Sequence, residues 1–240
     1  DKNKKSLMDI FPEKINFNMY PKNYWKNNYK KKNIQKKYLV DRVDMISQYF
    51  NIDKSKVIRL DHHTCHAFYS YYISPFKNKK VLSLTVDGFG DGLNSTIGIF
   101  NEKGEYKRVY KTNICAIARI YRYMTLLLGM KPNEHEYKLM GLAPYGKEQY
   151  GKKALEVFRN TLQVKGTKFV WKIKPSDSYF WFKSKLEGER FDSIAWAVQT
   201  WVEELLVKWV KNCLKKFKIS NVVISGGVAL NIKAMGKISQ

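Results

Sequence analysis

The segment "KVLSLTVDGFGDG", residues 80–92, sets the strongest limit on the fold. Its first half is a dense run of strand-forming apolar residues and reads as a buried strand. The strand runs into a turn that holds Asp87 and Asp91 among Gly88, Gly90 and Gly92. "STIGIFN" and "YKRVYKTN" follow as antiparallel strands, the second joined through the turn "NEKGE". Later, "NVVISGGVALN" gives a strand, a double glycine and a helix start. Between these lie helices. Apolar residues 115–130 predict one that ends at Gly129, and residues 151–163 predict another. From Asp192 to about Phe217, Ile194, Val198, Trp201, Leu205, Trp209 and Leu214 form the apolar stripe of a long amphipathic helix. A group of hairpin strands, then helices, then strand–loop–helix predicts an α/β fold.

The remaining segments are less regular. Residues 1–40 are polar without a clear period, and residues 41–50 have apolar positions at helical spacing. "KVIRL", 56–60, is a short strand candidate. "HTCHAFYSYYIS" reads as a helix that ends near Pro75, because the residue before a proline is pushed from helical geometry. "KPNEHEYKLMGLAPYG" is a loop with a short helix, and residues 164–190 read as irregular or weakly stranded.

A chain of 240 residues can bury a sizeable core as one large domain or two small ones. Its 44% hydrophobic and 15% aromatic content is globular rather than disordered. No stretch approaches the roughly 18 apolar residues of a membrane span, and no signal peptide is visible. The chain begins with Asp1 rather than Met, which reads as a fragment. Cys65, Cys115 and Cys213 are odd in number and form no CxxC pair, which fits a reducing cytoplasm. The net charge of +23 draws polyanions, yet the lysines are scattered. The aromatic-bearing run "KNYWKNNYKKKNIQKK" is the best nucleic-acid candidate by composition and carries no recognisable binding motif. The charge is read as a solvated lysine surface.

Three of the four histidines stand in "DHHTCHAFYSYY". On a helix His62 and His66 share a face about 6 Å apart at Cβ, a spacing that suits two imidazoles on one metal ion. His63 is rotated by about 100° from them. A hydrogen-bonded histidine pair would have the same spacing. "TVDGFGDG" permits two readings as well: glycine N–H groups near a phosphate with an aspartate on a metal, or an ordinary hairpin turn. Gly226 and Gly227 in "SGGVALN" allow close approach of a planar ligand or phosphate at a helix start. That loop is neither a dinucleotide fingerprint nor a P-loop. "NEHEYKLMGLAPYG" sets Glu134, His135, Glu136 and Lys138 tightly against an apolar turn.

Taken in order, "DHHTCHAFYSYYISPF", "LTVDGFGDG", "LLGMKPNEHEYKLMGLAPYG", "RFDSIAWAVQTWVEELL" and "VVISGGVALNIKAMGKI" resemble the O-carbamoyltransferase family of nodulation-factor and antibiotic carbamoyltransferases. The resemblance covers roughly residues 56–240, is low at 150–188, and is loose over residues 1–55. It implies an actin-like fold of the sugar-kinase and heat-shock ATPase type, ribonuclease H-like, with two subdomains around a nucleotide cleft. Residues 1–80 would be the remainder of the first subdomain and 81–240 an incomplete second one. The resemblance makes His62, His66 and Asp87 ligands of Fe²⁺ or a similar divalent metal. It makes "DGFGDG", with Gly88, Gly90 and Asp91, a phosphate loop. "SGGVALN", with Gly226, Gly227 and Asn231, becomes the adenosine loop.

The implied reaction moves a carbamoyl group from carbamoyl-adenylate to the hydroxyl of a sugar or other small molecule. In the family a separate C-terminal domain makes carbamoyl-adenylate from ATP and carbamoyl phosphate. Lys138 is expected to add positive charge near the leaving phosphate, and Glu136 to orient it or an acceptor group. The family's first strand and phosphate loop would precede residue 1. Its last metal carboxylate and the adenylate-forming domain would follow residue 240, so the chain alone is expected to be inactive or feebly active. Asp91 stands where many relatives have Glu, and Arg119 where a small residue is common. Two other readings remain open: a transferase of the tRNA threonylcarbamoyl-adenosine type, and a non-catalytic nucleotide- or metal-binding fragment.

Overall fold

A computed structural model describes residues 43–240 of the chain. Residues 1–40 and their expected irregular structure lie outside the described residues. The chain divides into two compact units, Asp1–Arg59 and Leu60–Gln240. In the first, residues 43–50 form a helix, α1. A 3₁₀ turn, Lys54–Lys56, follows, with Asp53 at its N-cap accepting from the Ser55 N–H. The strand expected at 56–60 is absent. Val57 is extended, but among the described residues this segment pairs with no other strand, so its backbone has no ladder there to join.

The second unit is built on a mixed four-stranded sheet in the order β3–β2–β1–β6. Its strands are β1 (Val81–Gly90), β2 (Leu93–Phe100), β3 (Tyr106–Thr112) and β6 (Val222–Ser225). β1, β2 and β3 form an antiparallel meander, and β6 returns to lie parallel to β1. The return runs through α3 (Ile117–Leu127), α4 (Glu136–Leu142), α5 (Glu148–Arg159), a β4–β5 hairpin (Leu162–Lys165 and Lys168–Trp171), α6 (Ser178–Lys185) and α7 (Phe191–Phe217). The result is the expected α/β architecture. α5 starts and ends earlier than residues 151–163, because Leu162 leaves the helix to pair with Trp171. Residues 164–190 are more regular than their sequence suggests. The hairpin buries Val164 and Phe169, and α6 is capped by Asp177 and buries Phe182.

Strand alternation divides the core in two. Leu82, Leu84 and Val86 of β1 face the main core with Ile97, α3 and α7. Val81 and Phe100 face the other way, against Ala67 and Tyr71 of α2 (His62–Ile73). α7 is the spine of the main core. Its Ile194, Val198, Trp201, Leu205 and Trp209 are buried as their spacing predicts, and Leu214 is half-buried. The helix ends where Lys218 takes a left-handed φ of 52° and its N–H returns to the Leu214 carbonyl. Gly146 and Gly151 explain part of "APYGKEQYG". A Cβ at Gly146 would lie 2.4 Å from the Asp192 carbonyl oxygen, and one at Gly151 2.3 Å from the Trp196 ring. Both glycines therefore let this segment lie directly on α7. Among the described residues no helix is long and apolar enough to cross a membrane.

Candidate metal centre

Two periodicities assemble the site. On α2, His63, Ala67, Ser70 and Tyr71 are buried against the sheet, and His62 and His66 form the adjoining stripe. On β1, Thr85 and Asp87 are two residues apart and so share the α2 face. Thr85 Oγ1 meets His63 Nδ1 at 2.7 Å, and Asp87 Oδ2 meets His62 Nε2 at 2.7 Å. His66 Nε2 lies 3.1 Å from His62 Nε2 and 3.9 Å from Asp87 Oδ2. Ligand atoms of His62, His66 and Asp87 thus all fall within 4.8 Å of one another.

The electrostatics suit a cation. Burial pushes the Asp87 carboxyl up, but hydrogen bonds from Gly227 N–H, His62 and Gly88 N–H outweigh it, so the group stays below its ordinary value and anionic. Burial lowers His66 more than the Asp87 charge raises it, which favours a neutral imidazole with a free lone pair. A single imidazole proton would have to serve both close contacts of His62 Nε2. A divalent ion would satisfy all three groups together, and two imidazoles with one carboxylate are a common donor set for Fe²⁺ and its neighbours. The residues present therefore fit a metal.

Supporting contacts fix each of the three side chains. Asp87 Oδ1 accepts the Gly227 N–H at 2.7 Å, tying β1 to the loop after β6. Ser225 Oγ donates to the His66 carbonyl at 2.8 Å. Asp91 Oδ2 accepts the His62 N–H at 2.8 Å, and Asp61 caps α2 by accepting the Thr64 N–H at 2.8 Å. Arg108 of β3 donates to Asp61 and, at 2.8 Å, to Thr64 Oγ1. Burial raises Asp61, but Arg108 and the Thr64 bonds together bring its carboxyl down to about 2.

The glycines of both loops serve this cluster directly. A Cβ at Gly90 would sit 2.1 Å from the His62 ring, and one at Gly227 2.8 Å from Asp87 Oδ1. Gly226 takes a φ of 101°, and its Cβ would stand 2.3 Å from the Val86 carbonyl oxygen. Gly88 differs: a Cβ there would meet only the Ala118 methyl, at 4.0 Å. Gly90→Ala is therefore expected to tilt the His62 ring and weaken divalent-ion binding by about tenfold or more. Gly88→Ala is expected to leave that affinity within about twofold, since changes away from packed features are small. Paired metal titrations of the two variants check this.

The other predicted residues lie elsewhere in the network. Asn231 caps α8 (Ile232–Ser239), accepting the Ala234 N–H at 3.0 Å. Its amide also exchanges hydrogen bonds with Gln199 of α7, both at 2.9 Å. Gln199 in turn accepts from Tyr121 and donates to Glu203. Glu136 accepts the Asn133 N–H at 2.7 Å in the first turn of α4. Lys138 Nζ lies 3.2 Å from His135 Nε2. Among the described residues, neither hydrogen-bonds to His62, His66 or Asp87. Sequence reasoning missed Thr85, Asp61, Arg108 and Gln199. The alternation of β1 could have paired Thr85 with Asp87; nothing local marks the other three.

The profile described as "Carbamoyltransferase N-terminus" matches residues 3–240. The uncharacterized protein MJ1058 of Methanocaldococcus jannaschii is 32% identical over 201 residues, 75% of this chain and 32% of that protein. MJ1051 of the same organism is 31% identical over 210 residues, 83% of this chain and 39% of that protein. Nodulation protein NolNO of Sinorhizobium fredii is 25% identical over 192 residues, 78% of this chain and 28% of its own length. The chain thus spans well under half the length of the curated relatives it matches.

Proposed function

The chain belongs to the carbamoyltransferase N-terminal family, and on that premise we propose that it carries the transfer site for moving a carbamoyl group from carbamoyl-adenylate to an acceptor hydroxyl. The observation that carries this reading is the convergence of His62, His66 and Asp87 beside two glycine loops. The proposed fold type is actin-like, with the sheet of the second unit as part of one subdomain.

His62, His66 and Asp87 would hold Fe²⁺ or a similar divalent ion. When bound, that ion supplies Lewis-acid polarisation of the carbamoyl carbonyl. The remaining roles fall to the chain. Asp87 stays ionised, so the donor set offers one negative charge and two imidazoles. Asp91 and Asp61 hold the start of α2 and thereby orient His62. A side chain at Gly88 would meet only the Ala118 methyl, at 4.0 Å, so its turn leaves room for the adenylate phosphate beside backbone N–H groups that follow. Gly226 and Gly227 hold the loop proposed to meet the adenosine against β1, and Asn231 anchors that loop to α7. In the transfer, the bond between the carbamoyl carbon and the AMP phosphate oxygen breaks, and a bond to the acceptor oxygen forms. The acceptor's hydroxyl proton passes to solvent, and AMP leaves with its negative charge. Lys138 and Glu136 are assigned to the leaving phosphate and the acceptor. A further domain supplies the carbamoyl-adenylate from ATP and carbamoyl phosphate, and the acceptor is a sugar or other small molecule.

Calorimetric titration with a non-hydrolysable carbamoyl-adenylate analogue, with and without Fe²⁺, tests the reading. Binding that needs the metal and is lost in His66→Ala is expected. Equal binding with and without metal, or metal-dependent binding unchanged in His66→Ala, would sink it.

A further inference from the structure

We propose that the groove between the β4–β5 turn and the C-terminal part of α7 is a binding site for a compact, multiply charged phosphate ligand. The groove has a volume of about 350 Å³ and is lined by Lys165, Gly166, Thr167, Lys168, Asn212, Lys215 and Lys216, four lysines and no carboxylate. That volume suits a small molecule.

The hairpin's own stability does not explain the arrangement. Lys165 and Lys168 are directly opposed across the two strands, and like charges so placed are destabilising. Lys215 and Lys216 are favoured by the last turn of α7. That preference does not extend to the hairpin pair. Among the described residues the four groove lysines form no ion pair and no carboxylate lines the groove, so nothing in it offsets the opposed hairpin pair. An anion with several charges removes the mutual repulsion and accepts from several ammonium groups at once.

The scaffold beneath is fixed. Trp209 Nε1 donates to the Thr167 carbonyl at 3.1 Å, and Asn212 Nδ2 donates to the Gly166 carbonyl at 2.7 Å. Gly166 takes a φ of 56°, which the first position of this two-residue turn favours. The lysine stems thus project from anchored backbone on both sides of the groove. The groove itself is lined by one turn and one helix end, so it fits a short phosphate chain better than an extended nucleic-acid backbone. This site is independent of the proposed metal centre.

The probe is inorganic tripolyphosphate, titrated calorimetrically into the chain at ~50 mM and ~200 mM salt in metal-free buffer. Saturable one-to-one binding that weakens with salt is expected. Lys165→Gln/Lys215→Gln is expected to weaken it about tenfold or more. A control, Lys131→Gln/Lys152→Gln, removes the same charge elsewhere and is expected to change it less than about twofold. Equal losses in both doubles would overturn the proposal by reducing binding to the overall charge. So would absence of binding, or binding lost in Asp87→Ala but not in the groove variant. Saturable binding of a single-stranded RNA with none of tripolyphosphate would also overturn it, in favour of a nucleic-acid surface.

Discussion

Asp87→Ala is expected to abolish stoichiometric divalent-ion binding, lowering affinity by more than about 100-fold. Residues that merely orient metal ligands already cost about 10–100-fold when removed. Asp87 does more than orient. It brings the cluster's carboxylate, contacts His62 at 2.7 Å, and accepts the Gly227 N–H at 2.7 Å. Its loss leaves two imidazole Nε2 atoms 3.1 Å apart with no carboxylate against them, so a bound cation would lose its one charged ligand. The Gly227 N–H would also lose its acceptor, loosening the loop after β6. Asp87→Asn separates these effects. The amide oxygen can still accept from Gly227, so that variant should keep the loop's protection from hydrogen exchange while binding metal poorly. Equal metal affinity in wild type and Asp87→Ala would remove Asp87 from the ligand set.

The second large effect separates neighbouring histidines. His62→Ala is expected to lower metal affinity by more than about 100-fold with little loss of stability, since its ring is 39% exposed. His63→Ala should do the reverse. His63 is fully buried, and its Nδ1 meets Thr85 Oγ1, which is itself 2.7 Å from Thr96 Oγ1 and accepts the Thr96 N–H. Truncation opens a cavity between α2 and the sheet and leaves Thr85 short of a partner, at a cost of about 2 kcal/mol or more. Denaturant unfolding and metal titration of both variants make the comparison. Equal metal affinities in the two would sink the ligand assignment, and a His63→Ala chain as stable as wild type would refute its role as the helix–sheet tie.

The glycine loops show how far local spacing reaches. "DGFGDG" and "SGGVALN" both look like cradles for a ligand. The structure separates their glycines. Gly90 and Gly227 are filled spaces beside His62 and Asp87, Gly226 is needed for its left-handed backbone, and Gly88 has room for a side chain, with the Ala118 methyl 4.0 Å away. A substitution such as Gly227→Val would therefore disturb Asp87 before it reported on any nucleotide.

Elements whose patterns are long and one-sided are legible in the residues alone. The apolar run of β1, the turn-linked meander, the stripe of α7 and the pair His62 and His66 on one helix face all follow from periods of two or 3.6 residues. Those periods are local, and a local rule is enough to read them. That β6 lies parallel to β1, and so brings Gly227 to Asp87 across 140 positions of sequence, is set by the packing of the whole unit. The same packing recruits Arg108 from an edge strand to the start of α2, and Gln199 from α7 to the Asn231 loop. Such partners are chosen by the closing of long crossovers, whose pairing depends on the whole packed core and leaves no mark in the residues beside them. The short hairpin of β4 and β5 was obscure for the same reason, since strands of four residues take their stability from what they are packed against.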